Sequence, residues 1–189
     1  MKTQKIIIIT APSGSGKSTL TKLLMASFPQ LAFSISACTR NPRAGEVDGV
    51  DYHFISVSAF EKAIEANEFI EWEMVYEGKY YGTLKTELNR IWDRSQVPLV
   101  DIDVKGALNV QQQYPGRHLS VFIQAPSISI LKERLEKRGT ETAETLAERI
   151  GKAEYELSFA HEFDHIVVND DLARASEQLI GIVGDYLNN

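Results

Sequence analysis

With 189 residues, 43% of them hydrophobic and 24% charged, the chain has the length and composition of one globular domain. This excludes disorder and removes any need for disulfides or metals to complete a core. A formal net charge of −6 excludes a general nucleic-acid surface, and no apolar run approaches the ~20 residues that span a bilayer, so we expect a cytoplasmic protein with neither nucleic acid nor membrane as a partner.

The start, Lys2 to Lys5 followed by four isoleucines, is too short for the apolar part of a signal peptide. Ile6 to Ile9 form a β-branched run suited to a central strand buried on both faces of a parallel sheet. The run breaks at Pro12, passes Gly14 and Gly16, and restarts at Lys17 with Leu20, Leu23, Leu24 and Phe28 at helical spacing. A strand, a glycine-bearing loop and a helix in that order wrap backbone N–H groups around a phosphate. Lys17 adds a full positive charge, and Ser18 offers its hydroxyl to the magnesium of a nucleoside triphosphate. Ala11 stands where G-x-x-x-x-G-K-[ST] has its first glycine, which raises the question of the backbone angles there.

Ala32 to Ala37 alternates polar and apolar residues and predicts a second strand. The Gly-, Pro- and Asp-rich stretch after it carries Arg40 and Arg43 around Pro42, either as guanidinium forks for a phosphate or as charges on a solvated turn. Cys38 is the lone cysteine, read as a small packed side chain in a reducing compartment. Residues 36–83 read as a small inserted α+β lobe, in which Tyr52, Glu71 and Tyr81 suit a planar polar ligand or, equally, edge packing.

Leu84 to Trp92 predicts a helix, and LVDID after Pro98 a buried strand carrying Asp101 and Asp103 at its far end. Acids there either order magnesium beside the phosphate loop or cap a helix. Ser120 to Gln124 is the next strand. Ser127 then caps a helix with Ile128, Leu131 and Leu135 inside and Arg134 and Arg138 near its end at Gly139. A second helix from about Glu144 buries Leu146, Ile150, Ala153 and Leu157 and carries Arg149 elsewhere. Together these are a lid over a polyphosphate, or a solvated hairpin with ion pairs such as Glu133 with Lys137. His161 to His165 matches H-E-x-x-H, but the second histidine opens the strand-like run HIVVND, so no single helix presents both imidazoles and the zinc reading is rejected. His53 and His118 are isolated. Leu172 to Leu187 is an amphipathic helix that covers the sheet. Strands alternating with helices indicate an α/β fold with a parallel sheet.

APSGSGKST, FSISACTRNPRAGEVDGVDYHF, FIEW, YYGT, LVDID, RGTETAETLAERI and VVNDDL resemble the guanylate kinase family in content and order, over nearly the whole chain. The resemblance implies a P-loop NTPase-type parallel sheet flanked by helices, with a core at 1–35, 84–125 and 160–189, a GMP-binding lobe at 36–83 and a helical lid at 126–159. It implies that Ser13, Gly14, Ser15, Gly16, Lys17, Ser18 and Thr19 bind ATP, with Asn169 near the adenine. Ser36, Arg40, Arg43 and Tyr81 would grip the GMP phosphate with help from Tyr52, while Glu71, Thr83 and one of Asp101 and Asp103 read the guanine edge. Lys17, Arg43, Arg138 and Arg149 would be the catalytic cations. Mg2+ would arrive with ATP on Ser18, with Asp101 a further candidate. The expected activity is phosphoryl transfer from MgATP to GMP, by a monomer or a homodimer. The rivals are a related kinase of a ribose bisphosphate and a catalytically silent binding module.

Overall fold

Ile6–Thr10 forms β1, and all five residues are buried because β1 is paired on both sides and covered on both faces. The computed structural model describes residues 4–137 and 143–189. In chain order the helices are α1 (Lys17–Ser27), α2 (Val57–Glu65), α3 (Lys85–Asp93), α4 (Val104–Gln113), α5 (Ile128–Lys137), α6 (Ala143–Leu157) and α7 (Leu172–Asn188). The other strands are β2 (Leu31–Phe33), β3 (Ala37–Cys38), β4 (His53–Phe54), β5 (Phe69–Tyr76), β6 (Lys79–Leu84), β7 (Val97–Asp101), β8 (His118–Gln124) and β9 (His165–Val168).

Among the described residues the strands form two sheets. One is parallel, ordered β2-β7-β1-β8-β9; the other is ordered β4-β3-β6-β5, with β6 antiparallel to both β3 and β5. Strand periodicity divides the isoleucines of β1 between two cores. Ile7 and Ile9 pack with Leu20 and Leu24 of α1 and Leu179 and Val183 of α7, whereas Ile6 and Ile8 pack with Leu88 of α3 and Ala107 and Val110 of α4. The glycine loop at the end of β1 is thereby fixed to the most buried strand of the molecule.

The second sheet has its own smaller core. Phe60 of α2 stacks on Phe69 of β5 with ring centroids 4.2 Å apart, beside buried Ala37 and Ala63. Ser56 caps α2 by accepting from the Ala59 N–H. Leu131 and Leu135 of α5 pack with Ala153 of α6 and Ala125, and the expected Glu133 and Lys137 pair closes at 2.6 Å.

Two expectations need correction. The strand expected over 32–37 is divided: β2 ends at Phe33 in the parallel sheet, and the chain crosses to the second sheet before β3. The Ser34 N–H still donates to the Leu99 carbonyl, while the Ser36 carbonyl accepts from His53, so the same alternation feeds two different ladders. Leu23 is 39% exposed, and Thr21 takes the buried place beside Leu20 and Leu24. At about 100° per residue Leu23 falls outside the arc that 20, 21 and 24 define.

The expectation for HEFDH holds. Ala160–Glu162 is a single 3-10 turn, and His165 starts β9. Asp164 between them accepts from both the Ser120 N–H and hydroxyl at 2.8 Å, tying β8 to this turn. Cys38 is fully buried, as a packed side chain should be.

Candidate active site

The loop from Ala11 to Gly16 is shaped at two glycines. Gly14 and Gly16 have φ of +92° and +89°, the left-handed region that glycine enters without strain. Ala11 is not among the positive-φ residues, so its backbone needs no glycine and the question raised by the sequence is answered. Gly16 has a second constraint, since an added Cβ would run into the Asn169 amide. Asn169 is buried and donates from Nδ2 to the Ser15 carbonyl at 2.8 Å, while its own carbonyl accepts from Arg134 at 2.9 Å. The side chain expected near an adenine is thus also a brace on the phosphate loop.

A cavity of about 460 Å³ opens over this loop, lined by Ser13, Gly14, Gly16, Lys17, Ser18 and Thr19 and, from the far side, Arg149, Lys152 and Glu156 of α6. Arg149 already reaches the loop, donating to the Ser13 hydroxyl at 2.9 Å. Lys17 meets Asp101 directly. Burial lowers the Lys17 ammonium to about 8, against the pull of Glu156 and Asp103. Arg138 lies outside the described residues.

Adjoining cavities extend toward the second sheet. Lys17, Ser18, Ser36, Tyr52, Asp101 and Asp103 border one of about 380 Å³, and Ser36, Tyr52, Glu71, Tyr81, Asp101 and Asp103 border one of about 300 Å³. Shared walls make these one cleft running from the glycine loop to β5 and β6. Ser36 sits between the sheets because buried Glu87 of α3 accepts from the Ile35 N–H at 2.9 Å.

Glu71 is the most unusual group in the cleft. A register shift between Phe69 and Glu71 re-aims β5: Phe69 enters the small core, Ile70 the main core, and the Glu71 carboxylate faces the first turn of α4. Gly106 makes the room, since a Cβ there would lie 2.9 Å from Glu71 Oε2. Glu71 is 8% exposed and its Oε1 has no hydrogen-bond partner. Burial raises its pKa to about 7, opposed by a hydrogen bond from buried Thr83, its cross-strand neighbour, and reinforced by Asp103. A buried acceptor with nothing to accept from is a binding-site signature.

Asp103 is the N-cap of α4, accepting from the Gly106 N–H at 2.8 Å, and it also lines the cleft. The capping reading of a strand-end acid therefore applies to Asp103, while Asp101 ends β7 paired with Lys17. Glu73 of β5 hydrogen-bonds Asp103, which with burial lifts Glu73 to about 7. Burial opposes ionisation of Asp103, but this bond and the Gly106 N–H outweigh it and keep its pKa low.

Arg40 stacks over Tyr52 at 4.9 Å and Phe54 at 5.5 Å and makes a bidentate pair with Glu46, at 2.5 and 2.7 Å. That pair holds the Glu46 carboxyl down to about 2, and Tyr52 and Tyr81 meet edge to face at 6.0 Å. Arg40 thus stands behind the tyrosines of the cleft with its buried Nε–H unpartnered. Arg43 is not brought in: its side chain is exposed, and its backbone N–H donates to Glu46. Glu46, Glu73, Lys152 and Glu156 are the residues that sequence reasoning passed over. The last two carried a signal, since 149, 152 and 156 have the i, i+3, i+7 spacing of one helix face.

A parallel sheet whose central strand ends in a glycine loop, a helix N-terminus and a half-buried lysine, facing a second cavity rich in carboxylates and tyrosines, defines a P-loop nucleotide-dependent phosphotransferase of α/β class. The comparisons with known proteins narrow this. The family model described as Guanylate kinase matches residues 3–186. A guanylate kinase of Bacteroides thetaiotaomicron is 46% identical over 98% of this chain and 91% of its own length, and one of Porphyromonas gingivalis is 47% identical over 97% and 98%. The crystal structure of guanylate kinase from Anaplasma phagocytophilum superposes with a TM-score of 0.76 at 27% identity, covering 97% of this chain and 86% of that one. The chain belongs to the guanylate kinase family.

Proposed function

We propose that this chain transfers the terminal phosphoryl group of MgATP to GMP, giving ADP and GDP, with residues 36–83 as the GMP-binding lobe and 126–159 as the lid. The observation that carries the reading is Glu71, a buried carboxylate with an unsatisfied oxygen at the far end of a cleft that begins at the phosphate loop. Guanine offers N1–H and an exocyclic amine side by side, a pair of donors that an ionised carboxylate accepts and that adenine lacks. Ser36, Tyr52 and Tyr81, backed by Arg40, would hold the GMP phosphate, with Arg43 closing from the exposed loop. Thr83 orients Glu71 from behind, and Asp103 adds a second acceptor. Ser13 to Thr19 would cradle the phosphates of ATP, and Asn169 would keep that loop in shape beside the adenine.

A phosphate oxygen of GMP bonds to the γ-phosphorus while the bond from that phosphorus to the bridging oxygen breaks, and the electron pair leaves on ADP. The charge spreads over the equatorial oxygens, so positioning and cations supply the catalysis. Lys17, Arg149 and Arg138 are the cations we assign, with Arg43 completing the set on closure. Ser18 and Asp101 bring oxygen donors to one cavity beside Lys17, and magnesium bound through substrate phosphates takes only one or two such donors from protein. The metal would there supply charge neutralisation at the phosphates.

Among the described residues no helix is long and apolar enough to cross a membrane. We infer a cytoplasmic enzyme acting on small molecules, as a monomer or homodimer, with no nucleic-acid partner. A coupled assay of ADP release with GMP, AMP, UMP and ribose bisphosphate tests the reading. Turnover with GMP alone is expected. Turnover with ribose bisphosphate in preference would favour the sugar kinase, and GMP binding without turnover the silent module.

A further inference from the structure

Helix α6 presents two faces. Leu146, Ile150, Ala153 and Leu157 point one way. At about 100° per residue, Arg149, Lys152 and Glu156 fall together about a quarter turn from that face. All three line the cavity over the glycine loop. Arg149 is already part of the proposed machinery; the other two are not.

Lys152 lies at the junction of the cleft. It borders the phosphate-loop cavity, the cavity that holds Ser36, Tyr81 and Glu71, and a third between them with Glu73 and Tyr155. Among the described residues, Lys17 and Lys152 are the cationic side chains that border both the loop cavity and a cavity on the lobe side. A phosphoryl group moving from one nucleotide to the other crosses that junction. Lys152 is held there from below: Glu156, four residues on, has a side chain only 9% exposed and places Oε1 3.7 Å from Lys152 Nζ. The ammonium itself is on the open side, with the Lys152 side chain 58% exposed. A surface lysine gains little from an exposed pair, but here the partner is buried and the pair faces the site.

We propose that Lys152 is a further catalytic cation of this phosphotransferase, contacting the transferring phosphoryl group opposite Lys17, and that Glu156 is the positioning residue that aims it. The inference rests on the phosphoryl-transfer reading above. As the bond from the γ-phosphorus to the bridging oxygen breaks and the bond to the GMP oxygen forms, Lys152 stabilises the charge on the equatorial oxygens and exchanges no proton. The bland alternative is that Lys152 merely offsets the carboxylates around it, since its charge acts on Glu73 and Asp103. Lys105 acts on the same two groups and shares the third cavity but borders neither the loop cavity nor the Ser36 cavity.

Steady-state kinetics with ATP and GMP on the full chain separate these. Lys152→Gln is expected to lower kcat by at least about tenfold with both KM values within about threefold, the pattern of an interaction made mainly in the transition state. Lys152→Arg should retain most of kcat, and Lys105→Gln should stay within about twofold of the parent. Glu156→Gln should lower kcat less than Lys152→Gln, and the double variant should fall no further than Lys152→Gln alone. Equal effects of Lys152→Gln and Lys105→Gln, or a Lys152→Gln variant changed only in KM, would overturn the inference while leaving the GMP reading intact. A parent chain that leaves GMP unphosphorylated would remove both. Lys152→Gln alters an exposed side chain, so its result stands even if Glu156→Gln does not fold.

Discussion

The two ends of the cleft are built in different ways. At the phosphate end, consecutive residues from Ser13 to Thr19 carry the main-chain N–H groups, and two left-handed glycines and one buried strand fix their positions. At the lobe end, Ser36, Tyr52, Glu71, Tyr81 and Asp103 come from separate segments, aimed by a strand irregularity, a helix cap and the space left by Gly106. On the proposed reading, the first design would bind a polyphosphate through backbone amides, and the second would read one base through side chains. An enzyme assembled this way should lose its two substrates separately.

That separation is easiest to break at Lys17. Lys17→Ala is expected to reduce kcat by about a thousandfold or more, because on the proposed reading it removes a cation that stabilises the transferring group. GMP affinity by calorimetry should stay within about threefold, and a comparable loss of GMP binding would mean that the two ends are one unit. Glu71→Gln probes the other end. Replacing one acceptor oxygen by a donor should weaken GMP by about tenfold to a hundredfold and ATP by less than about twofold. Equal losses of both nucleotides would count against a base-reading role.

Gly106→Ala gives the finer probe. The added methyl would press on the end of a flexible side chain, not on backbone, so Glu71 should move while α4 stays in place. Helix propensity favours alanine over glycine by about 1 kcal/mol. Thermal unfolding should therefore be unchanged or slightly higher, with GMP weakened by about threefold to tenfold, whereas a lower Tm with unchanged GMP binding would place the carboxylate's importance elsewhere.

The same asymmetry governs what could be read before folding. The phosphate loop was legible because its chemistry sits in one stretch, bracketed by a run of isoleucines and a helix. The rejection of a zinc site at HEFDH was legible for the same local reason, a β-branched run at His165. The division of 32–37 was not, because alternation is identical whichever sheet receives it. The exposure of Leu23 needed the helix's true buried arc, and the pairing of Arg40 with Glu46 lies in a loop with no period. The aim of Glu71 depends on a one-residue register shift, which leaves no mark in composition. The pairing of Lys152 with Glu156 had a visible i, i+4 spacing, but such pairs are common on solvated helices, and only the cavity beneath them gives the spacing meaning.

Glu71 carries an energetic signature of its own. Its ordinary value is 4.5 and burial raises it to about 7, so between those values the folded chain keeps a proton that the unfolded chain has released. This group's contribution to stability is therefore largest below about 4.5 and falls as pH rises through about 7. On the proposed reading guanine needs the opposite form, the ionised acceptor, so binding and intrinsic stability would pull on Glu71 in opposite directions.

The most direct measurement is the GMP dissociation constant of the parent and of Glu71→Gln from about pH 5.5 to about 8.5, expressed as the variant's value divided by the parent's. The phosphate of GMP titrates near pH 6 in both experiments and cancels. The account predicts a ratio that climbs with pH, approaching tenfold per unit below about 7 and levelling off above it, as Glu71 ionises. A ratio independent of pH would mean that the buried carboxylate does not read the base.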